Sequence, residues 1–136
     1  MRRAVSALVA LSLMMVGLPT AANGSGLQQR FFLSPSGNIS CELDFDPTSA
    51  VRGLPTRAFC ETFTPGRAVT MSARGRVKVC QGTGCVGNPP ENAFTLRYGH
   101  QARLGPFVCR SQTDGMRCTI ASGRGFLISR SGIRRL

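Results

Sequence analysis

Six cysteines, all after residue 40, constrain the fold of this chain more than any other feature of its sequence. An even number of cysteines in a small exported protein is typical of a disulfide framework, because an oxidising compartment preserves the bonds and a small core gains stability from them. Six cysteines can pair in many ways, so the compartment and the local spacing have to narrow the choice.

The N-terminus predicts export. Arg2 and Arg3 precede an apolar run, Ala4 to Leu18, and small residues follow that run. This is the pattern of a cleaved secretory signal peptide. The run is shorter than the roughly 20 apolar residues that cross a bilayer, which favours removal over anchoring.

Cleavage is expected after Ala22 or after Gly24, where small residues follow the apolar run. We predict a signal peptide over residues 1–22 and one secreted domain over residues 23–136, ordered from about residue 30. Such a chain would have no transmembrane segment after cleavage, and it would act outside the cell or in the cell envelope.

The segment FVCRSQTDGMRCTI predicts a hairpin with a disulfide across it. A four-residue loop, Gln112 to Gly115, places Cys109 directly opposite Cys118. In a non-hydrogen-bonded pair their Cα atoms would lie about 4.5 Å apart, which is within disulfide range. A tighter turn of Asp114 and Gly115 alone would shift the register, so this pairing depends on the loop length.

The segment CQGTGC holds a second candidate disulfide. Cys80 and Cys85 are separated by four residues, two of them glycine, and can close a small ring. Cys41 then pairs with Cys60 by elimination. A redox pair usually has two intervening residues at a helix N-terminus, and a zinc site needs four ligands, whereas this chain has one histidine and no C-x-x-C. We therefore predict three structural disulfides.

The stretch ISCELDFD predicts a half-buried strand, because apolar and polar residues alternate along it. Its apolar side holds Ile39, Cys41, Leu43 and Phe45. Its polar side holds Ser40, Glu42, Asp44 and Asp46. The carboxylates raise the question of a calcium site, but ELDFDP lacks the glycine turn and distal glutamate of an EF-hand loop. We expect a solvated strand face and no metal site.

The rest of the chain also predicts strands and turns. RAVTMSARGRVKVC reproduces the pattern of a hairpin, with strands at Val69–Ser72 and Arg76–Cys80. Further strands are predicted at Phe31–Leu33, Phe94–Tyr98, Phe107–Ser111, Met116–Ile120 and Gly125–Arg130. Loops are predicted at Pro47–Pro55 and Gly87–Asn92. Short strands with 16 glycines and 8 prolines indicate an all-β fold, a small antiparallel β-sandwich or barrel-like domain.

Several motifs are similar to those of a family of small, secreted, uncharacterised actinobacterial proteins, especially mycobacterial members. They are FFLSPSGNISC, the C-x4-C followed by GNPPEN, TLRYG, GPFVCRS and GMRCTIASGRGFLISRSGI. The resemblance covers Phe31 to Ile133 and implies an exported, disulfide-bonded, β-rich single domain, with no activity or site to carry over. Leu96, Tyr98 and Gly99 match the family's motif, whereas His100 departs from it.

Charge gives the strongest indication of function. Residues 23–136 hold 15 basic and six acidic side chains, a net charge of +9, of which +7 lies from Ala93 onward. Basic clusters attract polyanions, although an exposed sheet face has to be polar in any case. We predict an anion-binding set that consists of Arg97, Arg103, Arg110, Arg117, Arg124 and Arg130. Strand alternation would place Arg130 on the same face as the apolar Phe126 and Ile128. Arg130 is therefore expected to reach solvent at the end of the strand.

The hairpin register places Arg110 opposite Arg117 on the outer side. Like charges directly opposite destabilise a sheet, so something should compensate them. The candidates are the acidic side chains Glu42, Asp44 and Asp46 on a neighbouring strand, or a bound anion.

The sequence offers little for catalysis. Its serines lie in no G-x-S-x-G context, and it has a single histidine. His100 with Glu61 or Glu91 and an arginine would suffice for a small secreted hydrolase, since phosphoryl chemistry needs an acid, a base and charge stabilisation. We predict no catalytic residue and no cofactor.

The predicted function is therefore non-catalytic binding of an anionic envelope glycan, a lipid headgroup or an extracellular protein. Specific nucleic-acid binding is not expected, because the sequence has no Trp and one Tyr for base stacking. The alternatives are a protein-binding effector or inhibitor, and a small hydrolase that uses His100.

Overall fold

The computed structural model describes residues 26–48 and 56–136, and this part of the chain is built almost entirely of strands. The first six are β1 (Gln28–Leu33), β2 (Ile39–Phe45), β3 (Arg57–Thr62), β4 (Arg67–Ser72), β5 (Val77–Gln81) and β6 (Phe94–Thr95). They are followed by β7 (Gln101–Leu104), β8 (Phe107–Gln112), β9 (Gly115–Thr119), β10 (Gly125–Ser129) and β11 (Gly132–Arg135). A short 3₁₀ helix, Thr83–Cys85, follows β5.

The strands form two sheets. A six-stranded sheet has the order β5-β4-β3-β2-β1-β6, and a five-stranded sheet has the order β11-β10-β9-β8-β7. Neighbouring strands are antiparallel except β1 and β6, which are parallel. The sheets share one core and form an open sandwich rather than a closed barrel, so the all-β prediction is confirmed.

Alternation along the strands sends apolar side chains from both sheets into this core. The largest fully buried contributors are Phe32, Leu43 and Met71 from the six-stranded sheet, and Phe107, Met116, Phe126 and Ile128 from the five-stranded sheet. On β2 the buried apolar residues are the predicted Ile39, Cys41 and Leu43. Phe45, at the end of β2, is half-buried against Gly105, where an added Cβ would overlap the phenylalanine ring.

All three predicted disulfides are confirmed: Cys41–Cys60, Cys80–Cys85 and Cys109–Cys118. The first and third join directly opposed residues of neighbouring strands, with Cα–Cα distances of 4.1 and 4.0 Å. This short separation is typical of non-hydrogen-bonded pairs. Both bonds are buried, and the Sγ of Cys60 contacts the Sγ of Cys118 at 3.8 Å across the two sheets.

The register predicted for the β8–β9 hairpin is also confirmed. Ser111 lies opposite Met116, as expected for the four-residue loop. Within that loop Gln112 and Gly115 pair with each other, which leaves Thr113 and Asp114 as the turn. The loop length therefore sets both the disulfide and the side chains that face outward.

Three strands were not predicted, namely β3, β7 and β11. In β3 the outward positions hold both an aromatic residue, Phe59, and an acid, Glu61, so no clean alternation marks the strand. The hairpin of β4 and β5 lies where predicted. The strand predicted to reach Tyr98 ends at Thr95. The chain turns at Tyr98 and Gly99, where the Gly99 N–H donates to the Ser111 carbonyl oxygen at 2.8 Å.

The prediction of a solvated acidic face on β2 is wrong. Ser40, Asp44 and Asp46 are each only 4% exposed. The connection from β5 to β6 runs between opposite edges of the six-stranded sheet and passes over its outer face. There the Gly87 N–H donates to Glu61 Oε2 at 2.7 Å. This segment lies over Ser40 and Glu42, whereas Asp44 is enclosed by Gln29 and Arg57 from the neighbouring strands.

Two predictions fall wholly or partly on undescribed residues. The signal peptide over residues 1–22 lies outside the described residues, and so does most of the predicted loop Pro47–Pro55. The predicted loop Gly87–Asn92 holds neither helix nor strand. In the part of the chain that the structure describes, no helix is long and apolar enough to span a membrane.

We expect the disulfides to contribute unequally to stability. Replacing Cys41 and Cys60 by alanine should lower the free energy of unfolding by about 3 kcal/mol or more, since it opens a 19-residue loop and also leaves a cavity in the core. Replacing Cys80 and Cys85 should cost about 2 kcal/mol or less, because the bridged residues are five apart and lie at the surface. Urea unfolding followed by circular dichroism measures both, and equal losses would contradict this ranking.

Candidate anion-binding surface

An exposed row of arginines crosses the outer face of the five-stranded sheet. Arg110 on β8 lies opposite Arg117 on β9. Arg117 also lies opposite Leu127 on β10, and Leu127 lies opposite Arg134 on β11. On β8 and β9 the residues before and after each arginine are buried, so the alternation turns the arginines outward. We call Arg110, Arg117 and Arg134 the arginine row.

The arginine row has a definite length. Adjacent strands lie about 4.8 Å apart, so its three strand spacings cover about 14 Å. Gln101 on β7 faces Arg110 and continues the line with a neutral amide. Arg103 is exposed on the same side, and its Nη2 donates to Gln101 Oε1 at 2.8 Å. The surface is therefore basic along a line, not around a point.

The expected compensation by acidic residues does not occur. Arg110 and Arg117 bring like charges directly opposite each other, which destabilises the pair of strands. Glu42 and Asp44 belong to the six-stranded sheet. Among the described residues, no guanidinium group of the arginine row forms an ion pair with an acid. Within the described residues, no acid therefore offsets the repulsion between Arg110 and Arg117.

Arg57 on β3 is the partner of these carboxylates. Its Nε lies 2.9 Å from Asp44 Oδ2, and its Nη2 lies 3.8 Å from Glu42 Oε1. Gln29 Nε2 donates to Asp44 Oδ1 at 2.8 Å and to Glu42 Oε1 at 3.3 Å. The six-stranded sheet therefore satisfies its own acids.

The other predicted arginines are exposed but lie outside the row. Arg97 lies in the segment before β7 and borders a hollow with Gln101, the residue that faces Arg110. Arg124 lies in the turn before β10, where its Cβ would be 2.8 Å from a Cβ added at Gly75. Arg130 lies in the turn after β10, at the strand end as predicted, and its carbonyl oxygen accepts a hydrogen bond from Arg67. Of the six predicted residues, Arg103, Arg110 and Arg117 share one face.

The sequence prediction omitted Arg134. The segment FLISRSGIRR contains the information needed to place it, because a turn at Arg130 and Ser131 puts Ile133 opposite Ile128. That register sends the next residue, Arg134, to the outer face. The strand escaped prediction because two adjacent arginines obscure its alternation.

His100 lies in an exposed turn, and its backbone N–H donates to the Arg97 carbonyl oxygen at 3.0 Å. Glu61 is buried on the outer side of β3, where its carboxylate accepts the bond from Gly87. Glu91 is exposed in the β5–β6 connection. In the described segments the side chain of His100 has no hydrogen bond to either carboxylate, so the predicted acid–base pair is not assembled.

One group of potential metal ligands is found among the described residues: Cys41, Cys60 and Cys118. All three sulfurs are engaged in disulfides, which removes the thiolate that would bind a metal. The carboxylates of β2 do not form such a group with any neighbour in the same described part of the chain.

No protein-family model, curated protein or solved structure matches this chain. Function therefore has to be inferred from the geometry and charge of the chain itself.

The covered face of the six-stranded sheet holds an unusual carboxyl group. Burial raises the pKa of Glu42 to about 7, and the hydrogen bond and negative charge of Asp44 add to the rise, while Arg57 opposes it. Burial also raises the pKa of Glu61, against the hydrogen bond from Gly87. Near neutral pH, both the protonated and the ionised form of Glu42 are therefore populated.

We expect Glu42 to make stability fall as pH rises. The pKa of Glu42 is about 7 in the folded protein and 4.5 ordinarily. The contribution of its protonated form to the free energy of unfolding is therefore complete below pH 4.5 and is lost as pH rises through about 7. Glu42→Gln imitates the protonated form, so the urea concentration at the midpoint of unfolding should fall less between pH 5 and pH 8 in this variant. Glu91→Gln, at an exposed position, is the control and should keep the full loss; the same loss in both variants would contradict the assignment.

We expect the Arg110–Arg117 pairing to cost stability in the free protein. Arg117→Gln should raise the free energy of unfolding by some tenths of a kcal/mol, because it removes a like charge from a directly opposed pair. Arg103→Gln, opposite Val108, should give no such gain. Urea unfolding at low and high NaCl tests the cause, since a gain that persists in concentrated salt would not be electrostatic.

Proposed function

We propose that this protein is a secreted, non-catalytic β domain that binds an anionic partner, at the cell envelope or outside the cell, through the arginine row. The protein itself is a small all-β domain with three disulfides. The observation that carries the proposal is the direct opposition of Arg110 and Arg117, exposed and without an acidic partner among the described residues.

The chemistry of arginine favours an oxyanion as the partner. Each guanidinium group can donate two parallel hydrogen bonds to a phosphate or a carboxylate. An anion placed between Arg110 and Arg117 would reverse the sign of their electrostatic contribution, because each charge then faces an opposite one. The repulsion in the free protein becomes attraction in the complex.

The shape of the surface favours an extended partner. The arginine row is a line of about 14 Å on an open sheet face, which suits successive charges of a polymer better than one small ion. Leu127, between Arg117 and Arg134, offers apolar contact within the line. We therefore favour an envelope glycan that carries phosphate or carboxylate groups over a single lipid headgroup.

Secretion and family membership are parts of this proposal. Disulfides persist in oxidising compartments, which supports an extracellular or envelope location. Membership of the family of small exported actinobacterial proteins stays a prediction that rests on the motifs of the sequence. A protein-binding effector or inhibitor is the alternative. In a hydrolase that uses His100, this side chain would need a carboxylate partner, and none contacts it in the described part of the chain.

The proposal predicts salt-sensitive binding to purified cell-envelope material. In co-sedimentation, Arg110→Ala/Arg117→Ala should weaken binding about tenfold or more, since each lost charge-assisted hydrogen bond contributes about 1.5–3 kcal/mol. The affinity of the unaltered protein should fall as salt rises.

The matched control is Arg124→Ala/Arg130→Ala, which removes the same charge from exposed positions in the turns before and after β10. Equal weakening in both double variants would mean that net charge alone governs binding. Binding that survives high salt would instead favour a protein partner.

A further inference from the structure

A second basic surface lies on the opposite side of the sandwich. A hollow of about 460 Å³ opens on the outer face of the six-stranded sheet, next to the β4–β5 hairpin. It is lined by Thr56, Arg57, Thr70, Ser72, Arg74, Arg76 and Lys78. We call this the cationic hollow. Among the described residues, its lining contains four cationic and three hydroxyl side chains and no acid.

The strand register explains how the cationic hollow forms. Arg57 on β3 lies opposite Ser72 on β4, and Thr70 on β4 lies opposite Lys78 on β5. Arg74 and Arg76 come from the turn that joins β4 and β5. Three strands and one turn thus converge on a site that the charge distribution along the sequence does not reveal.

Three of the four cations are available to a ligand. Arg57 is committed to Asp44, and its guanidinium group also lies 5.6 Å from the centre of the Phe59 ring. Arg74, Arg76 and Lys78 form no ion pair with any acid in the described ranges. The cationic hollow therefore holds about three uncompensated positive charges.

Two hydroxyl groups are oriented to donate. Thr56 Oγ1 accepts a hydrogen bond from the Asp46 N–H at 3.1 Å, and Ser72 Oγ accepts one from the Arg76 N–H at 3.2 Å. A hydroxyl whose oxygen already accepts from the backbone has its own proton left for another acceptor. The lining consequently offers mainly donors.

The turn that carries these arginines is fixed in place. The Gly75 N–H donates to the Ser72 carbonyl oxygen at 2.8 Å, and the Ser72 N–H donates to the Arg76 carbonyl oxygen at 3.0 Å. Gly75 has a φ of +77° and packs against the turn of the other sheet, where an added Cβ would lie 2.8 Å from Arg124 Cβ and 3.0 Å from Ile120 Cδ1. A rigid turn reduces the entropy lost on binding.

We infer that the cationic hollow is a second anion site, and that it takes a phosphate-bearing sugar unit. Three positive charges and two donating hydroxyls match a phosphate monoester, whose oxygens are strong acceptors. A volume of about 460 Å³ accommodates one sugar residue beside the phosphate. The site is independent of the arginine row, because it lies on the other sheet and shares no residue with it.

The test is a titration of the isotopically labelled protein, followed by amide NMR shifts, at constant ionic strength. The probes are glucose 6-phosphate, inorganic phosphate and glucuronate, each taken to millimolar concentration. Glucose 6-phosphate should shift the amides from Thr70 to Lys78 with the highest affinity of the three. Tighter binding of glucuronate would overturn the phosphate assignment, and tighter binding of inorganic phosphate would overturn the sugar assignment.

Variants locate the site. Arg76→Gln/Lys78→Gln should weaken glucose 6-phosphate binding at least tenfold, and both side chains are exposed, so the fold should be kept. Arg110→Ala/Arg117→Ala should leave this binding unchanged, even if the arginine row binds no envelope material. No shift with any probe, or shifts confined to the five-stranded sheet, would overturn the inference.

Discussion

The contact between two disulfides at the centre of the sandwich determines most of what lies on its surface. Each of the two disulfides joins opposed strands near the middle of its own sheet, and the Sγ atoms of Cys60 and Cys118 lie 3.8 Å apart where the sheets pack together. A shift of one residue in either register would exchange the inner and outer faces of a strand. Pairing Cys109 with Cys118 therefore also pairs Arg110 with Arg117, which is how the core produces the arginine row.

The central strands of the two outer faces differ in how their charges are compensated, although both sheets follow the same alternation. On the six-stranded sheet a crossing segment covers β2, and the buried acid Asp44 pairs with Arg57. The adjacent Glu42 has its pKa raised to about 7, largely by burial. On the five-stranded sheet no crossing segment was found in the described residues, and the arginines have no acidic partner there. Binding capacity is therefore expected where the protein leaves charge uncovered.

The features predicted from the sequence are those set by neighbouring residues. The hairpin of β8 and β9, its disulfide and the opposition of Arg110 to Arg117 follow from loop length and parity. The burial of Asp44 was not predictable, because its partners Gln29 and Arg57 lie on the two neighbouring strands and meet it only when the sheet has formed. The cationic hollow was not predicted for a related reason, because Arg57 and Lys78 come together only after three strands have paired. Residues that are close in the sequence determine the strand register, whereas the covering of a sheet face and the meeting of distant residues depend on the topology.

The order of the disulfides has a consequence for how the chain oxidises. Each disulfide joins two cysteines that are consecutive in the sequence, the first with the second, the third with the fourth and the fifth with the sixth, at separations of 19, 5 and 9 residues. In a chain that crosses a membrane N-terminus first, every second cysteine would emerge to find its native partner already present and unpaired. If this chain is exported in that way, oxidation in order of emergence would favour the native bonds without a disulfide isomerase, even though Cys60 and Cys118 end as close neighbours in the finished core.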